Sequence, residues 1–180
     1  MLEKYQKKLN LVTIFVLLLL FIGGMLAMRN SASKVASYNE LQEILDLRMG
    51  YSVQECQDYL SGLEIEGRAY YANKFFCVDF IYMIIYNTFY FSALLFLLKQ
   101  IKTKKKLFKK VLLFPLLSFI FDFGENAFIR YMIKSYPNVF SVISQISSIF
   151  TILKFVCVYC SVVCICFLVF IMIKQIIKKV

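Results

Sequence analysis

Four apolar stretches, each about as long as a bilayer is thick, decide what this chain can fold into. A helix needs roughly 20 apolar residues to cross the hydrocarbon core. Residues 11–28 meet that length without a charge, 75–98 with only Asp79, 111–133 despite Asp122, Glu125, Asn126 and Arg130, and 139–173 with only Lys154. The composition agrees, at 61% hydrophobic residues with a mean hydropathy of +0.71. Those values place the chain among membrane proteins. The expected fold is an all-α integral membrane protein. Residues 1–180 form one domain, a four-transmembrane-helix bundle with a small extracytoplasmic helical cap between helices 1 and 2.

Lysines set the expected orientation, because cytoplasmic connections carry the excess of Lys and Arg. Lys4, Lys7 and Lys8 precede the first stretch, Lys99, Lys102, Lys104, Lys105, Lys106, Lys109 and Lys110 fill the basic loop at 99–110, and Lys174, Lys178 and Lys179 follow the last. Both termini and that loop are expected in the cytoplasm of a multi-pass cell-membrane protein. The segment 29–74 is expected outside, since Glu40, Glu43, Asp46, Glu55, Asp58, Glu64 and Glu66 outweigh its basic residues. The net charge of +10 is then explained by orientation and calls for no nucleic acid. Clustered lysines at a cytoplasmic leaflet also attract anionic membrane lipids, by about 1 kcal/mol each.

The first stretch reads as an uncleaved anchor, since it is longer than the apolar core of a secretory signal. Gly23 and Gly24 near its end permit close approach of a neighbouring helix. In the cap, Asn39 is placed to start a helix over 40–49 that Gly50 stops, and Ser52-Val53-Gln54-Glu55 is a capping box opening a second helix that ends near Gly62. Leu41, Ile44, Leu45, Leu60 and Leu63 are expected to face the bundle and the cap acids to face water.

Ionisable side chains at membrane depth are costly and normally face an interior or a wet cavity, where they find partners. Asp122, Glu125 and Asn126 fall at i, i+3 and i+4 on one helical face, with Arg130 a turn further on. Asp79, Tyr82 and Tyr86 share a face of the second stretch. Counting about 1.5 Å per residue from the cytoplasmic ends puts Lys154, Asp79 and Arg130 near 28 Å and Asp122 and Glu125 near 16 to 21 Å. Arg68 and Tyr71 lie at the same outer boundary. The acids Asp79, Asp122 and Glu125 are thus expected to meet the bases Arg68, Arg130 and Lys154 in the outer half of the bundle.

Tyr51-Ser52, Gly67-Arg68 with Tyr71, Asp79, and the Asp122-x-x-Glu125-Asn126 run together resemble a group of uncharacterised bacterial four-helix integral membrane proteins with GRxxY…D and DxxEN motifs. The resemblance covers the middle of the chain. It implies that these positions form one site and carries no activity with it.

Three functions compete. The first is a pocket for a lipid head group or a small anionic or zwitterionic ligand, with Asp122 and Glu125 as acids or acceptors, Asn126 orienting, and Arg68, Arg130 and Lys154 as anion contacts. The same charges could instead form a paired network that only fixes which helices meet. The second is a thiol-disulfide oxidoreductase. Cys157 and Cys160 form a C-x-x-C near the outer third of the last stretch, with Cys56 in the cap and Cys77 at the start of the second, a layout similar to membrane thiol oxidoreductases of the vitamin K epoxide reductase kind. Against it, cysteine in such a helix usually serves as a small apolar residue. The third is a non-catalytic subunit or immunity-type protein that docks against a membrane-protein partner or a second copy of itself, using the Ser141, Ser144, Gln145, Ser147, Ser148 and Thr151 face.

The chain has no histidine, which excludes a Ser-His-Asp hydrolase and a His-ligated zinc site. The basic neighbours argue against a dense cation site, so neither a metal nor a cofactor is expected. Whether the protein is an enzyme stays open at this point.

Overall fold

The computed structural model describes residues 5–6, 8–39, 43–101, 110–138 and 140–178. Its described residues form helices and turns with no strand. Four helices are long and apolar enough to cross a membrane: Leu11–Ala36, Ile65–Ile101, Lys110–Ser135 and Ser141–Ile177.

The first, α1 (Leu11–Ala36), opens on Asn10, whose side chain accepts from the Thr13 backbone N–H at 2.8 Å. It runs eight residues past the expected end at 28. The reason lies in Met28, Ser31, Ala32 and Val35, which recur at helical spacing and bury one face against the cap, so this last part is held by packing. The membrane-length part is far more exposed, with Leu11, Val12, Phe15, Val16, Leu19 and Leu20 all facing outward. It packs chiefly on one neighbour, the second long helix.

The cap departs from expectation in its first half. Glu40, Leu41 and Gln42 lie outside the described residues, and the rest of the expected helix is a single 3-10 turn, Leu45–Leu47. Ile44 and Arg48 have extended backbone, which limits the helix to that one turn, and Ile44, Leu45 and Asp46 are buried in succession. Asn39 opens no described helix; its side chain instead donates to the Tyr59 carbonyl at 3.0 Å. The second half follows the sequence. In α2 (Val53–Gly62) Ser52 accepts from Glu55 N–H, and Glu55 accepts from Ser52 N–H at 2.6 Å.

The second membrane-length helix starts ten residues earlier than its apolar stretch, as α3 (Ile65–Tyr70), passes through a π turn at Tyr71–Phe75, and continues as α4 (Phe76–Ile101). Such a wide turn inside a helix often marks a functional position. Here it leaves Tyr71, Ala72 and Phe75 all buried. At the other end Lys99 Nζ donates to the carbonyls of Gln6 and Leu9. Residues 102–109, most of the basic loop, lie outside the described residues.

A 3-10 turn at Lys110–Leu112 leads into α5 (Leu113–Ser135), followed by α6 (Ser141–Ile177). Among the described residues these two share the most extensive contact, as a short connection between antiparallel neighbours favours. Gly124 makes their approach possible. The Phe150 ring lies directly over it, where any Cβ would collide, and is held edge-on between Phe121 and Phe128 at 5.5 Å from each ring centre.

At 37 residues, α6 is about 55 Å long, well over what a bilayer needs. Its first turns are occupied by the cap. Tyr51 donates from its backbone to Ser148 Oγ and from its hydroxyl to Ser147 Oγ, each at 2.8 Å. Gly50, at φ +94°, brings that segment against Ile152. Ser144, Ser147, Ser148 and Thr151 are therefore buried inside the molecule, and of the hydroxyl-rich face expected to meet a partner, Ser141 and Gln145 stay exposed.

Candidate functional site

The inward face of α5 carries Asp122, Glu125 and Asn126, all buried, with Glu125 fully so. The facing turn of α6 carries Thr151 and Lys154, three residues apart and therefore side by side. Lys154 Nζ lies 2.6 Å from Glu125 Oε2 and 3.6 Å from Asp122 Oδ1. Thr151 donates to the other Glu125 oxygen at 2.7 Å. Both Glu125 oxygens are thus partnered from α6.

From α4 come Asp79 and Tyr86. The Tyr86 hydroxyl donates to Asp122 Oδ2 at 2.5 Å. Asn126 joins the remaining carboxylates through its amide nitrogen, donating to Asp79 Oδ2 and, at 3.2 Å, to Asp122 Oδ1. Among the described residues no donor reaches Asp79 Oδ1.

The cap closes the cluster with a residue that the sequence reading puts in water. Asp46 is buried, accepts from the Tyr71 hydroxyl at 2.8 Å, and gives its backbone carbonyl to Lys154 Nζ at 3.0 Å. Burial pushes its carboxyl above the ordinary range, against the opposing pull of the Lys154 charge and the Tyr71 hydroxyl. The 3-10 turn turns it inward, and nothing in the flanking Leu45 and Leu47 signals that turn.

A cavity of about 190 Å³ lies against this cluster, lined by Asp46, Asp79, Asp122 and Lys154 on one side and by Tyr82, Tyr86, Tyr90 and Phe155 on another, with Met28, Leu47 and Val158 completing it. Tyr82 and Tyr86 rings are 5.3 Å apart and Tyr86 and Tyr90 rings 5.8 Å, so α4 contributes a continuous aromatic wall. Tyr90 and Phe155 are lining residues that the sequence reading missed. Aromatic residues are so common in the apolar stretches that neither stands out.

The expected balance of three acids and three bases is not what the structure assembles. Arg68 Nη1 donates to the carbonyls of Leu60 and Leu63, and its guanidinium lies 4.3 Å from the Tyr136 ring. There it satisfies carbonyls left open at the end of α2, a nearer partner than any acid. Arg130 lies 4.5 Å from the Phe76 ring centre, a full turn beyond Asn126. Among the described residues, Lys154 is the one cation that reaches the cluster, against Asp46, Asp79, Asp122 and Glu125. The site carries an excess of acid.

None of the cysteines lines the cavity. Cys56 is buried with its sulfur 3.7 Å from Met132 Sδ, Cys77 is exposed, Cys157 is buried and Cys160 half-buried, all as free thiols. Among the described residues no group of three or more Cys, Asp or Glu side chains is arranged to hold a metal ion.

No protein-family model matches this chain, and neither a curated protein nor a solved structure does.

Proposed function

We propose that this is a multi-pass membrane protein, both termini cytoplasmic and the cap outside, whose buried polar cavity binds the ammonium-bearing end of a small zwitterionic ligand such as a lipid head group. The observation that carries this reading is the charge and lining of the cavity. Three carboxylates, of Asp46, Asp79 and Asp122, line it beside the single ammonium of Lys154, and an aromatic wall faces them. Carboxylates beside aromatic faces form the environment that draws a cation out of water, through ion pairing and through the ring quadrupole within about 6 Å of the ring centre. A purely anionic ligand fits poorly, because only Lys154 would oppose its charge and that group is already engaged by Glu125 at 2.6 Å. A zwitterion fits better, its ammonium toward Asp79 and its anionic part held clear of the acids.

Burying an ion network only to join helices is a poor route to stability, since desolvation offsets much of the Coulomb gain. The cavity beside the network and the open Asp79 oxygen favour a ligand over a purely structural role. Native mass spectrometry of the detergent-purified protein tests this. Wild type should retain a small molecule or lipid containing an amine, and Asp79→Asn should lose it while keeping the same melting temperature within a few degrees. Wild-type protein with no bound species, or with one that Asp79→Asn retains in full, refutes the reading.

A further inference from the structure

A second, larger hollow of about 360 Å³ adjoins the polar cavity, lined by Met25, Met28, Arg29, Ala32, Ser33, Ala36, Glu43, Ile44, Leu47 and Tyr82. Three of its residues, Met28, Leu47 and Tyr82, also line the polar cavity, so the two share a wall. It lies between the far half of α1 and the cap turn. Its interior is apolar, while Arg29 and Glu43 are exposed and supply charges of both signs at its edge. α1 packs on α4 and, in its far half, on the cap, while Ser33 and Arg29 beside the groove stay exposed.

Resting on the ligand-site reading above, we infer that this groove seats the apolar part of a phospholipid whose head group is a primary amine, entering sideways between α1 and the cap. The groove adjoins the polar cavity, with Met28, Leu47 and Tyr82 lining both, and that adjacency suits an occupant with an apolar end and a compact polar one. A second protein helix would cover the groove without filling the cavity, and a soluble head group would fill the cavity without needing the groove. The primary amine follows from Asp79. It lines the cavity and no described residue donates to its Oδ1, which leaves that oxygen open to an N–H, a group that a primary ammonium carries and a quaternary one lacks.

Small residues make the groove testable without touching the acid cluster. Ser33 is exposed and Ala32 buried along its wall, so Ser33→Trp fills the space from the open side and Ala32→Trp from within. The full-length protein in detergent is titrated with dioleoyl phosphatidylethanolamine, with dioleoyl phosphatidylglycerol, and with water-soluble glycerophosphoethanolamine, each followed by native mass spectrometry. Wild type should bind the ethanolamine lipid at least about tenfold more tightly than the glycerol lipid. Both Trp variants should weaken the ethanolamine lipid by at least about tenfold and leave glycerophosphoethanolamine unchanged, whereas Asp79→Asn should weaken both.

Each other outcome has a distinct meaning. Lipid binding undiminished in Ser33→Trp, whose exposed site spares the fold, overturns the groove and leaves the head-group site standing. Equal loss of lipid and soluble head group in both Trp variants overturns the separate seating of the apolar part. Equal binding of the two lipids overturns the amine class. No binding of any of the three by wild type overturns the underlying ligand reading itself.

Discussion

Replacing Lys154 with Met removes the one cation that, among the described residues, reaches the acid cluster, and the structure sets the size of the effect. The ammonium lies 2.6 Å from Glu125 and 3.6 Å from Asp122 and donates at 3.0 Å to the Asp46 carbonyl that anchors the cap. At an effective dielectric constant of about 20, the closer contact alone is worth roughly 6 kcal/mol of Coulomb attraction. Desolvation cancels part of that when the pair forms. Loss of one partner leaves the other buried without compensation, a change that typically costs about 3–5 kcal/mol. For a chain of this length each kcal/mol moves the melting temperature by about 2–4 °C, so Lys154→Met should melt about 6–20 °C lower. The double variant Lys154→Met, Glu125→Gln should recover part of that loss, since it removes the stranded carboxylate. Thermal unfolding of the detergent-purified proteins, followed by circular dichroism, measures both. A single variant melting within about 2 °C of wild type would show that the ammonium is not bound as the distances require, and a double variant no better than the single would show that the loss has another source.

The remaining predictions concern the cap and the contact between Tyr86 and Asp122. Hydrogen bonds from the Ser52 backbone and hydroxyl hold the Glu55 carboxyl below its ordinary value of 4.5; its contribution to stability is therefore present above that value and fades as pH falls through the lower folded-state value. Glu55→Gln should flatten the acid limb of a stability-against-pH curve, and an unchanged limb would contradict the capping box. Asp46 shows the opposite sign, its carboxyl raised by burial, so the cost of ionising it grows as pH rises through that raised value. Asp46→Asn should gain stability relative to wild type on going from acid to neutral pH, as chemical denaturation at each pH would show; a constant difference contradicts it. Gly50→Ala should lose about 1–2 kcal/mol, because φ is +94° and the new Cβ would lie 3.0 Å from Ile152. A melting temperature equal to wild type counts against that turn. Tyr86→Phe removes the donor to Asp122 at 2.5 Å and should cost about 1–3 kcal/mol, read from the same melting curves.

The parts of this architecture that are legible in the sequence are those ruled by local periodicity. Long apolar runs give the four helices, because length and composition alone decide them, and the capping box at Ser52 and Glu55 gives the start of α2. Asp122, Glu125 and Asn126 share a face through their spacing, and counting the rise along each helix brings Lys154 into the same outer half of the bundle, though about one to two turns above them, whereas the folded chain pairs it directly with Glu125. Tertiary contacts decide the rest. α1 continues to Ala36 because the cap covers Met28, Ser31, Ala32 and Val35, which no local rule reveals. Asp46 turns inward because a 3-10 turn replaces a helix, converting an acid expected in water into a wall of the cavity. Arg68 and Arg130 lie at plausible depth but are taken by the Leu60 and Leu63 carbonyls and by the Phe76 ring. Depth along a helix is additive and countable, whereas the choice of partner is set by whichever group packs nearer. That difference turns an expected neutral site into an acidic one. It also narrows the proposed ligand from an anionic or zwitterionic one to a zwitterion bound through its cationic end.

Calorimetric titration of the detergent-purified protein with glycerophosphoethanolamine, beside glycerophosphate, tests that acidic, aromatic-walled site most directly. The account predicts binding of the ammonium-bearing compound, no detectable binding of the anion lacking it, and loss of the signal in Asp79→Asn. Binding of both compounds alike, or of glycerophosphate alone, would contradict it.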